Sequence, residues 1–510
     1  MDIAGNRTLY SVLAAHARQQ PDEPWLAYEG DDGLVLNWTF AQFLASVHQA
    51  AHLLRNRGIG AGHVVNVHLP NHPAHTQLIL AASLLGAVVL PTNPASTDEE
   101  IAYLLDHSES CFVVADERQA ERLRNLDGAG ARTVLSVQEY EAERAHQSAA
   151  APPGEAHADR LVQLLYTSGT TSRPKGVMLT NANIIYGAEV LRGATGLRRE
   201  DHHLIALPLF HAAAQCHALW PSLVTGCRVT VVARFSGSRF FRQAAAHGCT
   251  MAALFGAPLR ILLLQPDDPA QRQHHLRNVT FAQNLTAAQF DEWHRRFRAP
   301  LQQLWGMTET ASLPLMSPLT GDRRLFALGR PVLGYEIRVV DEEGRDVEGG
   351  AQGQLIVRGT PGRSLMLGYF KNPVATAETL KISDGATWLY TGDTVSCDAD
   401  GFVHFSDRCK DLIKRGGENI SSTEIEGVIA LLPQVADVAV IGVADPVRDE
   451  AVAAVVVLRE TAVLTEQELL SHCAKSLAAF KVPERVRFVA TLPRTSVGKI
   501  QKQVIRAWFA

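Results

Sequence analysis

Apolar and polar positions along the chain follow two rhythms. Short β-branched runs such as Val64 to Leu69, Leu161 to Tyr166 and Val229 to Val232 predict strands, and segments with helical periodicity separate them. That alternation predicts α/β layers. The longest uncharged apolar stretch, Leu78 to Leu90, falls short of the roughly 20 residues a membrane helix needs. It predicts a buried helix followed by a strand. From His146, the stretch HQSAAAPPGEAHADR is small, polar and Pro-rich, which predicts a surface loop. Beyond Pro331 the pattern shortens to YEIRVVDEEG, GQLIVRG and GFVHFSDR, the texture of a β-rich subdomain. After Asp407 the charged stretch DRCKDLIKRGGENI leads into a new α/β pattern, with TEIEGVIALLPQ, VADVAVIGV, EAVAAVVVL and EQELLSHCAKSLAAF. A large domain over residues 1–409 and a small one over 410–510 are therefore expected, with the boundary near Lys410. No fixed-period repeat is visible.

Composition narrows the class. At 510 residues the chain exceeds one ordinary core, and 46% hydrophobic with 20% charged residues suits a globular protein. A net charge of −5 argues against a nucleic-acid surface as the main function. Seven scattered cysteines, with no CxxC pair, suggest reduced thiols in the cytoplasm rather than a disulfide frame or zinc site. The N-terminus lacks a basic start leading into an apolar run, so no signal peptide is expected. His202, His203, His274 and His275 have no metal-ligand spacing and are expected in solvent.

Chemistry concentrates in LLYTSGTTSRPKGVML, beginning at Leu164. Ser168, Thr170, Thr171 and Ser172 bring hydroxyls, Gly169 and Gly176 allow close backbone approach, and Lys175 brings a positive charge. Together they suit a polyphosphate. A Walker A loop needs Gly-Lys-Ser/Thr opening a helix, whereas here Lys175 precedes Gly176 and a strand. The plainer alternative is a polar hairpin connection. Other stretches join this loop: Trp305-Gly306-Met307-Thr308-Glu309, Tyr390-Thr391-Gly392-Asp393, and Pro493 to Ile500 with Lys499 behind Gly498.

With these motifs in this order over essentially its full length, the chain resembles the adenylate-forming superfamily of acyl-CoA synthetases, peptide-synthetase adenylation domains and luciferases. TTSRPKG, LLLQPDDPAQRQHHLRNVTFAQNLT and IKRGGENIS make it most similar to carnitine/crotonobetaine-type CoA ligases. The resemblance implies a large N-terminal α/β domain with layered sheets and a β-rich subdomain, plus a small mobile C-terminal α+β domain. It implies ATP-dependent activation of a carboxylic acid to an acyl-adenylate, then thioester formation with coenzyme A, with release of AMP and pyrophosphate. ATP, Mg2+ and coenzyme A are the implied ligands. Transfer to a carrier-protein pantetheine, and a nucleotide-sensing protein without catalysis, are the competing readings.

Residue roles follow from the same resemblance. Thr167, Ser168, Gly169, Thr170, Thr171 and Lys175 would hold the β,γ-phosphates, Thr308 the α-phosphate and Glu309 the magnesium. Trp305 would flank adenine, and Asp393 and Arg408 would hold the ribose. Lys499 would reach between the substrate carboxylate and the α-phosphate, where a cation helps one anion attack another. Gly416, Gly417 and Glu418 would line the thiol tunnel, and Lys410 would be the hinge of domain alternation. His211, in the Pro-x-Phe-His segment, lies near the acyl pocket, for which Phe210, Ala213, Gln215, Phe255, Gly256 and Ala257 are the candidates. Several positions depart from the family pattern. Ser172 replaces a glycine, Asn181 a histidine and Gln354 a glutamate, while FAQNLTAAQ stands where a glycine-rich segment is usual and leaves Ala282, Gln283 and Asn284 as candidates only. No carboxylate stands out to balance a trimethylammonium, so the acid remains open.

Overall fold

The computed structural model describes residues 2–127, 132–154, 156–167, 174–282, 285–324, 326–408, 411, 413–415, 418–445, 449–495 and 500–509. Helix starts are written into the sequence as Ser/Thr followed three residues later by a polar partner. Thr39 with Gln42, Thr97 with Glu100, Ser136 with Glu139, Thr180 with Asn183 and Thr465 with Glu468 each form a reciprocal capping box. Each box satisfies amides that the first turn leaves without partners. Leu78 to Leu90 divides as expected, into the fully buried helix Pro73–Leu85 and the buried strand Val88–Pro91, with Gly86 closing the helix at φ 71°. Among the described residues no helix is long and apolar enough to cross a membrane.

By contact density the chain divides into two units. The larger comprises Met1–Ser168, Pro174–Glu336 and Val357–Leu389, and the smaller is built from Ile337–Ile356 and Tyr390–Ala510. This division falls ahead of residue 410 and draws Ile337–Ile356 to the C-terminal side, because that segment packs with strands distant in sequence.

Two sheets organise the larger unit. The first runs in the order Gly368–Tyr369, Lys175–Thr180, Leu161–Thr167, Val88–Pro91, Val64–His68, Ser110–Ala115, Thr133–Ser136. Its last five strands are parallel, while Leu161–Thr167 turns back antiparallel into Lys175–Thr180. In the second sheet Pro24–Glu29, Arg228–Val232, His202–Ile205, Met251–Phe255, Asn278–Ala282 and Leu301–Trp305 are parallel neighbours. A core of Leu204, Leu254, Leu259, Phe281, Trp293 and Phe297 packs one face of this sheet.

The histidines on the central strand correct the sequence reading. His202 and His203 are buried rather than solvated, at 5% and 1% exposure, because their strand lies between parallel neighbours and both faces are covered. His202 Nε2 lies 2.8 Å from Thr230 Oγ1, and the Ser222 hydroxyl 3.4 Å from His203 Nδ1. His274 is half-buried, with Nε2 3.0 Å from the Phe297 carbonyl, and His275 is exposed as expected.

In the smaller unit, Val435–Asp445 and Asp449–Leu458 form a long antiparallel pair flanked by Ile413–Arg415 with Glu418–Ile420, and by Arg485–Phe488. Ile413, Ile420, Ile425, Val440, Val452 and Leu469 close its core.

Candidate active site

Parallel strands leave their carboxyl ends on one edge of a sheet, where open α/β folds bind ligands. Four neighbouring strands of the second sheet deliver candidate residues to that edge. After His202–Ile205 comes Phe210 with His211, and Met251–Phe255 ends on Phe255 itself, followed by Gly256 and Ala257. Asn278–Ala282 ends on Ala282, and Leu301–Trp305 ends on Trp305, followed by Gly306 to Glu309. Gln283 and Asn284 lie outside the described residues.

The turn after Trp305 is tightly drawn. Thr308–Thr310 forms a short 3-10 helix in which the Thr310 hydroxyl accepts from the Met307 amide at 3.1 Å and lies 2.7 Å from its carbonyl. Gly306 is required by space, since a Cβ there would sit 2.5 Å from the Ser312 carbonyl oxygen. This turn leaves Thr308 half-buried and carries Glu309 inward to 6% exposure. The Glu309 carbonyl accepts the Met366 amide at 2.9 Å, and Oε1 of its carboxylate accepts the Tyr369 hydroxyl at 2.9 Å. Burial and then the Glu309 charge push the Tyr369 phenol pKa upward, so the hydroxyl keeps its proton and donates.

Lys175 lies on the strand that pairs with Gly368–Tyr369 in the first sheet, and so reaches the same tyrosine. The hairpin register sets Thr167 opposite Lys175 and Tyr166 opposite Gly176. A Cβ on Gly176 would lie 3.1 Å from the Tyr166 ring, and the Tyr103 hydroxyl anchors the Pro174 carbonyl at 3.1 Å. Held in this way, the Lys175 ammonium sits 4.2 Å from the centroid of the Tyr369 ring. Ser168, Gly169, Thr170, Thr171 and Ser172 lie outside the described residues.

The acyl-pocket candidates are not alike in what they offer. Phe210, His211, Ala213, Phe255 and Ala257 are half-buried, and Gly256 is buried. Gln215 is buried at 1% exposure and spends its amide on structure, donating to Leu209 O at 2.7 Å and accepting from Gln163 and Trp220 at 2.8 and 3.1 Å. It opens the π-helix Gln215–Leu219, which also carries the buried His217. Burial, with a smaller contribution from His211, pulls the His217 pKa down to about 4. Asn181, where histidine was expected, ties elements together: its side-chain oxygen accepts from the Leu9 amide at 3.2 Å and the Ser83 hydroxyl at 2.6 Å.

In the smaller unit, Asp393 is buried and stands opposite Arg408 in the antiparallel register. The Asp393 amide donates to Thr391 Oγ1 at 3.1 Å, and the Thr391 hydroxyl donates to Leu355 O at 2.7 Å. Glu418 lies opposite Arg415 in the antiparallel register. Gly416, Gly417, Lys410 and Lys499 are outside the described residues. Among the described residues on either side of Lys499, Arg494 and Ile500 form an antiparallel bridge, and the Lys502 ammonium meets Glu426 Oε1 at 2.8 Å and Ser422 Oγ at 2.6 Å.

Residues 13–370 match the AMP-binding enzyme family, and residues 424–499 match the AMP-binding enzyme C-terminal domain. The chain belongs to the AMP-binding enzyme family. A crotonobetaine/carnitine–CoA ligase of Escherichia coli O139:H28 (strain E24377A / ETEC) is 33% identical over 528 residues, covering 99% of this chain and 100% of the relative. ATP-bound MatB from Rhodopseudomonas palustris superposes with a TM-score of 0.87 at 29% identity, over 99% of each chain. The o-succinylbenzoate CoA synthetase (MenE) of Bacillus subtilis, solved with its acyl-adenylate intermediate OSB-AMP, gives 0.86 at 27% identity over 98% of each chain. Within this AMP-binding enzyme, Tyr369, which touches both Glu309 and Lys175, is not among the residues the sequence singled out. It lies in LGYF, which carries no local sign of chemistry, and only the fold brings it to Glu309.

Proposed function

We propose that this AMP-binding enzyme is an acid–thiol ligase that forms a CoA thioester through an acyl-adenylate. The observation that carries the reading is the meeting of Glu309 and Lys175 on Tyr369, beside the carboxyl ends of four parallel strands. In the first step a carboxylate oxygen of the acid bonds to the α-phosphorus of ATP, and the bond to the β-phosphate oxygen breaks, releasing pyrophosphate. In the second step the thiol sulfur, having lost its proton, bonds to the acyl carbon, and AMP leaves with the electron pair. Both partners of the first step are anions, so the residues must cancel charge where they meet.

Lys175 and the hydroxyl-rich loop before it suit the β,γ-phosphates, and Lys499 suits the reacting centre between carboxylate and α-phosphate. Glu309 suits Mg2+, because it is a buried carboxylate with one oxygen fixed by Tyr369. A hard cation held by one carboxylate together with substrate phosphates fits that donor set, and it would neutralise charge on the triphosphate. Asp393 and Arg408, opposite one another on paired strands, suit the ribose hydroxyls. Full-length similarity to enzymes named as CoA ligases favours coenzyme A as the acceptor.

The test is ATP–pyrophosphate exchange over a panel of acids, including crotonobetaine, carnitine, short polar, aromatic and bulky alicyclic acids. AMP release is then measured with coenzyme A or with a holo-carrier protein. Exchange with at least one acid, followed by CoA-dependent AMP release, is expected. Nucleotide binding without exchange for any acid would favour a sensor, and release only with the carrier protein would move the acceptor.

A further inference from the structure

We propose that Tyr369 is a positioning residue for adenylation, joining the carboxylate offered to the divalent cation and the lysine offered to the polyphosphate into one rigid unit. The proposal rests on the roles of Glu309 and Lys175 given above. Its hydroxyl donates to Glu309 Oε1 at 2.9 Å, while its ring carries the Lys175 ammonium at 4.2 Å. A single side chain therefore touches both groups by different chemistry, one by a hydrogen bond and one through the π face. Among the described residues Oε2 of Glu309 takes no hydrogen bond, so fixing Oε1 sets which oxygen is presented to a cation.

The backbone around Tyr369 is held in the same double manner. Met366 donates to the Glu309 carbonyl at 2.9 Å, while Leu367 and Phe370 donate to the carbonyls of Met178 and Gly176 at 3.0 and 2.8 Å. Gly368 sits at φ 149°, and a Cβ there would crowd Thr376 Cγ2 at 3.0 Å. The Thr376 hydroxyl in turn accepts the Tyr369 amide at 2.9 Å. At 4% exposure the ring has little room to choose another rotamer.

The two contacts can be separated by two variants. Tyr369→Phe keeps the ring and removes the hydroxyl, whereas Tyr369→Leu removes both. ATP binding is titrated calorimetrically without metal and then over a range of Mg2+, with Mn2+ binding to the ATP complex followed by electron paramagnetic resonance. For Tyr369→Phe, metal-free ATP affinity should stay at the wild-type value while the half-saturating metal concentration rises about tenfold, as for lost partners of metal-binding groups elsewhere. For Tyr369→Leu, metal-free ATP affinity should fall as well. Unchanged metal dependence in Tyr369→Phe overturns the proposal, and so does an equal loss with and without metal, which would signal general packing. A Phe variant that fails to fold also overturns it, since the role would then be structural. If the wild type exchanges pyrophosphate with no acid, the ligase reading fails while these titrations still decide the role of Tyr369.

Discussion

At the scale of single residues, the two lysines of the proposed reaction differ in how they are held. Lys175 begins a paired strand and lies on an aromatic ring, so its charge is placed before ATP arrives. Lys499 lies in sequence between Arg494 and Ile500, which are bridged to each other. A charge at the reacting centre acts chiefly in the transition state. Lys499→Ala should therefore lower adenylate formation by about 100-fold or more, the scale of losing one preorganised electrostatic contact. Its thermal midpoint and ATP affinity should stay near wild type, and thioester formation from supplied acyl-adenylate should survive. Measuring the two half-reactions apart checks this, and equal loss in both would remove the assignment. The buried histidines give a second residue-scale prediction. Burial pulls the His203 pKa down to about 3 and that of His202 to about 4. Both folded values lie below the unfolded value near 6.5, so the stability they confer is complete above that value and is lost as pH falls toward the folded pKa. Between pH 8 and pH 5 each such histidine should cost about 2 kcal/mol. Denaturant unfolding at both pH values should show this fall, and His203→Gln should show a shallower one.

At the scale of elements, the turn between Trp305 and Ser312 sets where Glu309 points, and Gly306 is its tightest place. Gly306→Ala must push the turn off the Ser312 carbonyl, at a cost of about 1–3 kcal/mol in stability by the usual scale of overpacking. A displacement near 1 Å at such a site costs about 100-fold in rate, so exchange should fall far more than folding does. Calorimetric melting beside pyrophosphate exchange checks both, and a wild-type exchange rate would show that the turn tolerates the methyl. The strands and helices themselves were legible because their apolar periods are local: Val64 to Leu69 became Val64–His68, and Leu78 to Leu90 became a helix and a strand. The order of the motifs was equally legible, and the fold carries Trp305, Phe255, Ala282 and Phe210 to one sheet edge. What the local pattern could not carry were contacts between distant segments. Tyr369 meets Glu309 across 60 positions, and the Gln215 amide is consumed by Gln163 across 52. His202 and His203 read as polar positions fit for solvent, yet their burial depends on which strands flank theirs.

At the scale of the whole molecule, the proposed chemistry asks one terminal region to serve one acyl carbon twice. In the proposed reaction Lys499 would act while the adenylate forms, and Gly416 and Gly417 would act while the thiol arrives. All three lie beyond Lys410 in sequence, and a single rigid placement would satisfy one step at the expense of the other. Rotation about a hinge resolves the conflict, and Lys410, in DRCKDLIK, is the residue we propose for it. A hinge absorbs a large change in φ and ψ, whereas proline fixes φ near about −65° and removes an amide donor. Lys410→Pro should hold the terminal region near one orientation. Burst release of pyrophosphate should continue, because that step uses the orientation that brings Lys499 to the ATP site. Thiol transfer from isolated acyl-adenylate should fall by more than about tenfold, the effect of raising a barrier by about 1.4 kcal/mol. A general loss of folding would instead slow both steps together and lower the melting temperature, which calorimetry separates. If both half-reactions decline by the same factor, or neither changes, Lys410 is not the hinge, and the two steps must share one arrangement of the chain.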